Sequence, residues 1–279
     1  MNISQEFIEI IKSLEKRLII PSINEVFFPQ KGGTDPNLRY NNFGAIKLQD
    51  NSIGIIYLGL SDKIKARAQK FNTDKIKGKN PLDLAQYNES DDLFQRTLAF
   101  GAINAISQFF LDKVNYSHDF TTDSLGLLDL KGTDFVGMVG FFPPLVKKIK
   151  KRNIPLVIIE KKEKLIQKHE NWEITLDPSR LNNCNKVLCT SSTVLNGSLD
   201  GILSYCKNAE KVSIVGPSAG FLPDPLFKRG VDVLGGTYVS DPPLFMDLIS
   251  QNKKWGKSTN KYCIQADHYP GFRTLLEKC

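Results

Sequence analysis

The chain has 279 residues, 41% hydrophobic and 24% charged, a composition typical of folded globular proteins and a length sufficient for one large domain or two. No apolar run approaches the ~20 residues that span a bilayer, and the opening MNISQEFIEIIKSLEKRLII interleaves charges where a signal peptide has an unbroken apolar core, so a cytoplasmic protein with no membrane partner is expected. The formal charge of +7 is a mild excess that favours small anionic ligands.

Residues 5–17 place Phe7, Ile8, Ile11 and Leu14 at helical steps. Segments 23–28, 44–48 and 53–58 read as strands, and the polar stretch 30–42 between them as a loop. A helical piece follows at 62–70. The run 92–112 is the strongest helix in the chain, with Leu98, Ala102, Ala105 and Phe109 at three- and four-residue steps and Ser90 or Asp91 available as cap. Residues 1–125 are thus expected to form an α+β unit, a small meander packed on helices.

From residue 126 the pattern changes. Strand-like runs DFVGMVG, PLVIIE, NKVLCT, KVSIVGPS and VDVLGG alternate with helical stretches at 143–151, 197–207, 224–229 and 242–251. The strands are short, β-branched and apolar throughout, as in a parallel sheet covered on both faces. The expectation for 126–279 is a Rossmann-like, doubly wound α/β domain. The basic run KKIKKR, Lys147 to Arg152, lacks interleaved aromatics and reads as the solvated face of a helix, so no nucleic-acid partner is expected. Five cysteines, an odd number and none in a CxxC spacing, argue against a disulfide framework or a structural zinc site.

In such a sheet the ligand crevice lies at the carboxyl ends of the strands. Those ends carry Gly140-Phe141-Phe142-Pro143-Pro144, then Glu160, then Thr190-Ser191-Ser192-Thr193 with Asn196, then Gly216-Pro217-Ser218, then Gly235-Gly236-Thr237 with Asp241 beyond. Small, hydroxylated and backbone-exposing residues at five successive ends suit a polar small molecule. Glu160 stands where such domains hold a ribose diol. The GxGxxG pattern is absent, and Phe141 and Phe142 fall where a pyrophosphate would lie, which disfavours a dinucleotide oxidoreductase.

VGMVGFFPPLVKKI, VLCTSSTVLNGSLDGIL and VSIVGPSAGFLPDPLFKRGVDVLGGTYVSDP resemble the heavy-metal chelation domain family, whose pattern is a strand with a G-x-F-P-P-L turn, a T-G-T-T-like turn leading to an asparagine, and G-P-S. The N-terminal half, LAFGAINAI especially, is similar to the domain that commonly precedes it and resembles the N-terminal domain of enolases. The resemblance implies a cleft between the two parts, with Asn104 near the wall opposite the strand ends. Here Ser191 replaces the glycine of the T-G-T-T turn, which points to a different backbone conformation or a different ligand.

Two readings of function stand. In the first the protein handles a divalent metal ion or a metal complex, with Cys189, Glu160 and Asp241 as candidate ligands; His118, in the segment NYSHDFTTDS, could fold over the cleft. In the second a nucleoside cofactor such as S-adenosylmethionine binds there for group transfer, with its ribose on Glu160, a ring on Phe141 or Phe142, and its polar end on Thr190–Thr193 and Ser218. The long apolar helix and the FFPP aromatics suggest more apolar surface than one copy buries, hence a homodimer.

Overall fold

The computed structural model describes residues 1–29, 39–121, 123 and 125–279. The expected loop at 30–42 therefore lies outside the described residues as far as 38; residues 39–42 form a single 3-10 turn.

The first part of the chain runs α1 (Ile3–Glu15), β1 (Ile23–Phe27), β2 (Phe43–Leu48), β3 (Ile53–Tyr57), α2 (Asp62–Lys70), α3 (Pro81–Ala85) and α4 (Leu93–Lys113). The strands form an antiparallel meander in the order β1-β2-β3. Asn2 opens α1 with a capping box to Gln5, satisfying donors that a helix start leaves orphaned. Asp92, rather than Ser90 or Asp91, caps α4 and accepts from the amides of Phe94 and Gln95. α4 is apolar nearly all round, as a helix enclosed on every side must be. Its buried residues, among them Leu98, Ala102, Ile106 and Phe110, pack inside this one chain, whereas Phe141 and Phe142, the other apolar feature behind the expected dimer, are half-buried.

The rest of the chain forms β4 (Asp119–Phe120), β5 (Val136–Val139), α5 (Pro143–Lys151), β6 (Leu156–Ile159), β7 (Gln167–Lys168), β8 (Trp172–Thr175), β9 (Lys186–Thr190), α6 (Ser192–Leu195), α7 (Leu199–Leu203), β10 (Lys211–Val215), α8 (Asp224–Phe227), β11 (Val233–Val239), α9 (Pro242–Ser250), β12 (Thr259–Gln265) and α10 (Phe272–Leu276). The strands make one sheet in the order β4-β12-β11-β10-β9-β5-β6-β8-β7. Its six central strands are parallel, and β12, β4 and β7 join antiparallel at the sides. β5 and β6 are buried at every position, which explains their unbroken apolar character. This is a Rossmann-like α/β arrangement. The chain leaves β5 toward β6 and β8, then returns to the other side of β5 for β9, β10 and β11. The direction reverses between β5 and β9, and that reversal is where an open parallel sheet opens a crevice.

The two sheets meet along α4 and α1. Asn104, 1% exposed, donates from Nδ2 to the Ile55 carbonyl on β3 and to the Ser218 carbonyl after β10, both at 2.9 Å. Glu6 on α1 is paired with Arg229, just after α8, at 2.9 Å, and Arg229 also reaches Asp200 at 2.8 Å. Burial alone would raise the Glu6 pKa, but the hydrogen bonds and charges of Arg229 and Lys228 outweigh it and hold the pKa below its ordinary 4.5. A carboxylate depressed in the folded state stabilises fully above its unfolded pKa, and that contribution is lost as pH falls through the folded one. Glu6→Gln is therefore expected to lower stability at pH 7 by roughly 1–2 kcal/mol. The difference from wild type should shrink steadily below pH 4.5, the ordinary value, in urea unfolding followed against pH; a difference independent of pH would contradict the assignment.

Candidate functional site

Strand register brings the expected residues together. Val139 lies opposite Ile159 on β6 and Cys189 on β9, so the next residues, Gly140, Glu160 and Thr190, end three adjacent strands side by side. Beyond them opens a cleft of about 590 Å³, within the size range of small-molecule sites. Of the residues expected at the site, Gly140, Phe141, Phe142, Glu160, Thr190, Ser192, Thr193 and Asn196 line it. The meander contributes Tyr57, Gly59 and Leu60 from the end of β3, and Pro178 after β8 and Ser198, Ile202 and Tyr205 after β9 also line the cleft.

The turn after β5 is fixed by Glu160. Its Oε2 accepts from the Phe141 amide at 3.1 Å, and Oε1 from the amides of Lys161 at 2.8 Å and Lys162 at 3.3 Å. Three of the roughly four acceptor sites of a carboxylate are thus taken by backbone, which leaves one direction on Oε2 for a ligand. The Tyr57 hydroxyl is held protonated above its usual range, first by burial and then by the charge of Glu160. Pro143 and Pro144 open α5. Proline suits a helix start because it presets φ and its missing N–H is one that a first turn leaves unpaired. The two prolines also lack the amides that an ordinary first turn offers, so the usual anion-binding end of a helix is blunted here.

The turn after β9 carries the hydroxyls. Thr190 Oγ1 and Ser192 Oγ lie 3.1 Å apart, Thr193 Oγ1 donates to the Thr190 carbonyl at 2.7 Å, and Ser198 Oγ donates to Asn196 Oδ1 at 2.6 Å. Ser191 has right-handed helical φ and ψ, −58° and −18°, which any residue adopts, so serine in place of glycine asks nothing unusual of the backbone. Its side chain points away from the cleft, within 3.3 Å of Ser218 Oγ.

The remaining expected residues lie elsewhere. Pro143 sits at the exposed start of α5 outside the lining, and Gly216 packs behind Ser191. Pro217 and Ser218 belong to a half-buried loop outside the lining, and the Asn104 side-chain amide nitrogen holds that loop against α4. Asp241 caps α9 by accepting from the Leu244 amide, beside a separate, smaller hollow. Cys189 is buried in β9, where burial pushes its thiol well above the ordinary range. His118 does not fold over the cleft; it packs among Tyr116, Phe120, Tyr238 and Tyr262, and burial lowers its pKa to about 4. Sequence reading missed Tyr57, Leu60, Pro178 and Tyr205, which carry no local signal. Lys161 and Lys162 also line the cleft; their place directly after Glu160 at a strand end is the signal that could have found them.

A heavy-metal ion prefers thiolate or imidazole donors. Among the described residues the cleft wall holds neither cysteine nor histidine, and the one carboxylate there, Glu160, is occupied by three amides. Burial pushes the thiols of Cys184 and Cys206 up to about 12 and about 11, first through desolvation, so both stay protonated at neutral pH. Among the described residues no group of three His, Cys, Asp or Glu is placed to hold a metal. The residues present do not fit a bare ion in this cleft.

Residues 123–266 match the model of the family DUF364, described as "Putative heavy-metal chelation". An uncharacterized protein of Methanocaldococcus jannaschii is 28% identical over 197 residues, 68% of this chain and 73% of its own length. Crystal structures of DUF364 proteins of unknown function from Pyrococcus horikoshii and Desulfitobacterium hafniense superpose with TM-scores of 0.67 and 0.65. Each is 19% identical, and each comparison covers 94% of this chain and 98% of the other. At that identity the likeness is one of fold.

Proposed function

The chain belongs to the DUF364 family, and from that premise we propose that its cleft binds a small organic molecule, or a metal already held by one, and not a bare metal ion. The observation that carries this is the donor set: aromatic rings of Phe141, Phe142 and Tyr57, hydroxyls from Thr190 to Ser198, and a carboxylate largely satisfied by its own backbone. Rings and hydroxyls bind the organic part of a ligand and do not coordinate soft metals. This reading reconciles a family described by metal chelation with a wall that has no thiolate or imidazole. The nucleoside reading, with S-adenosylmethionine as its example, rests on the same wall and on the one free direction at Glu160.

Nickel and copper salts, free bipyridine, its nickel complex and S-adenosylmethionine form a discriminating set for calorimetry and thermal shift. A ligand at 100 times its dissociation constant stabilises by about 2.7 kcal/mol. An organic probe or its complex is expected to bind, and Phe142→Ala to weaken it at least about tenfold, the equivalent of 1.4 kcal/mol. Binding of S-adenosylmethionine that Glu160→Gln weakens would favour the nucleoside reading. Binding of the bare salts that is lost in Glu160→Gln, with no response to any organic probe, would overturn the proposal.

A further inference from the structure

Arg96 projects from α4 against the loop that forms the far lip of the cleft. A Cβ built on Gly197 would lie 3.3 Å from Arg96 Nη2 and 3.5 Å from Nη1. Gly197 has φ of +71°, a left-handed conformation that favours glycine, and its bare Cα leaves room for the guanidinium to come so near. Gly197 and Ser198 are both wall residues of the cleft. Arg96 is half-buried, and its Nε is out of contact with water and without a hydrogen-bond partner. Arg67, Arg180 and Arg229 are all in ion pairs with carboxylates; among the described residues Arg96 is in none. Burial dominates its environment, with the charge of Asp91 acting only from a distance. A guanidinium carries five donors and does not give up its proton, so burying even the one at Nε without a partner is unfavourable. Such a group beside a cleft is explained when its partner arrives with the ligand.

The other side of the cleft points to the same partner. The two prolines at the start of α5 remove the amides that would greet an anion there, and the Phe141 amide is already given to Glu160. This stretch of the wall therefore offers an oxyanion few backbone donors. Lys161 and Lys162 line the wall beside its carboxylate, Glu160, and Arg96 stands against Gly197 of the lip, just outside the lining itself. Taking the cleft as the ligand site, we infer that its ligand carries an oxyanion, a carboxylate or a phosphate, and that Arg96 recognises it at the Asn196–Ser198 lip.

Pyrophosphate and citrate, titrated separately at low salt, are the probes, since they present the two kinds of oxyanion. Wild type is expected to bind at least one of them, and their relative affinities tell phosphate from carboxylate. Arg96→Gln should weaken that binding at least about tenfold, because the bidentate fork is lost, whereas Arg96→Lys should keep part of it. Lys161→Gln and Lys162→Gln, which change the local charge equally, should cost less than Arg96→Gln. Equal losses in all three variants, or no loss in Arg96→Gln, would overturn the role of Arg96. Failure of both anions to bind wild type would overturn the oxyanion itself. The underlying reading fails separately. If anions bind through Arg96 while no organic probe responds to Phe142→Ala, the small-molecule proposal falls and the anion site stands. If organic probes bind through Phe142 irrespective of charge, the reverse holds.

Discussion

Gly54→Ala is expected to cost roughly 3 kcal/mol or more, a large share of the 5–15 kcal/mol that holds a folded domain together. Gly54 lies on β3, where the strand crosses α4. A Cβ there would sit 2.0 Å from the Gly101 carbonyl oxygen and 2.5 Å from the Ala105 amide nitrogen. Both obstacles are backbone of a buried helix, so no side chain can swing aside, and strand and helix must separate along their whole contact. Forced overpacking of this kind usually costs 1–3 kcal/mol, more where the surroundings cannot yield. Gly201→Ala is the control. It lies on α7 with nothing within 4 Å of the added methyl, and alanine in a helix gains about 0.5–1 kcal/mol over glycine. Urea unfolding of the pair should give shifts of opposite sign; a Gly54→Ala midpoint close to that of wild type would show that β3 and α4 are not in the contact described.

Asn104→Leu is expected to be the next most damaging change, by about 2–5 kcal/mol. Leucine fills a similar volume but leaves the carbonyls of Ile55 and Ser218 buried without their donor. Each orphaned group costs about 1–3 kcal/mol. Because one carbonyl belongs to β3 and the other to the loop after β10, the loss falls on the seam between the two sheets. Amide hydrogen exchange should therefore quicken at both segments together, ahead of the central strands. Asn104→Asp should be worse still, since a carboxylate would then face two carbonyl oxygens in a site it cannot easily leave. Stability of the leucine variant within about 0.5 kcal/mol of wild type, the range of ordinary surface changes, would rule out the bridging role.

The parallel core was legible because burial on both faces writes itself as an unbroken apolar run: all of Leu156–Ile159 is buried, and PLVIIE announces it. β12 was missed for the opposite reason. It is antiparallel near one side of the sheet, with Asn260 and Lys261 exposed, and reads as a polar segment. The predicted helix 197–207 shortened to α7, with α6 formed ahead of it, because Asn196 and Gly197, at φ of +71°, turn the chain between them. At the site, Gly140, Glu160 and Thr190 could be found because strand ends of a parallel sheet share one edge whatever the details of the loops. Gly216, Pro217 and Ser218 obeyed the same rule but, half-buried, lie outside the lining of this cleft, with Ser218 tied to α4 through Asn104, and no pattern along the sequence says which part of a strand edge another element will engage. Tyr57 and Leu60 come from a distant strand, and only the three-dimensional packing brings them to the wall.

The nine-stranded sheet ends on β4 at one side and β7 at the other, each two residues long with both residues exposed. A longer bare edge offers a row of free amides and carbonyls on which a second chain can add itself. Here β4 and β7 are too short for more than a couple of hydrogen bonds, and Asp119 and Lys168 place charges on two of their four positions. Short, charged end strands of this kind disfavour growth of the sheet and so guard the chain against the edge-to-edge stacking that leads to fibres. Two copies that do associate are then expected to do so mainly through helices or loops, where specificity is written in side chains.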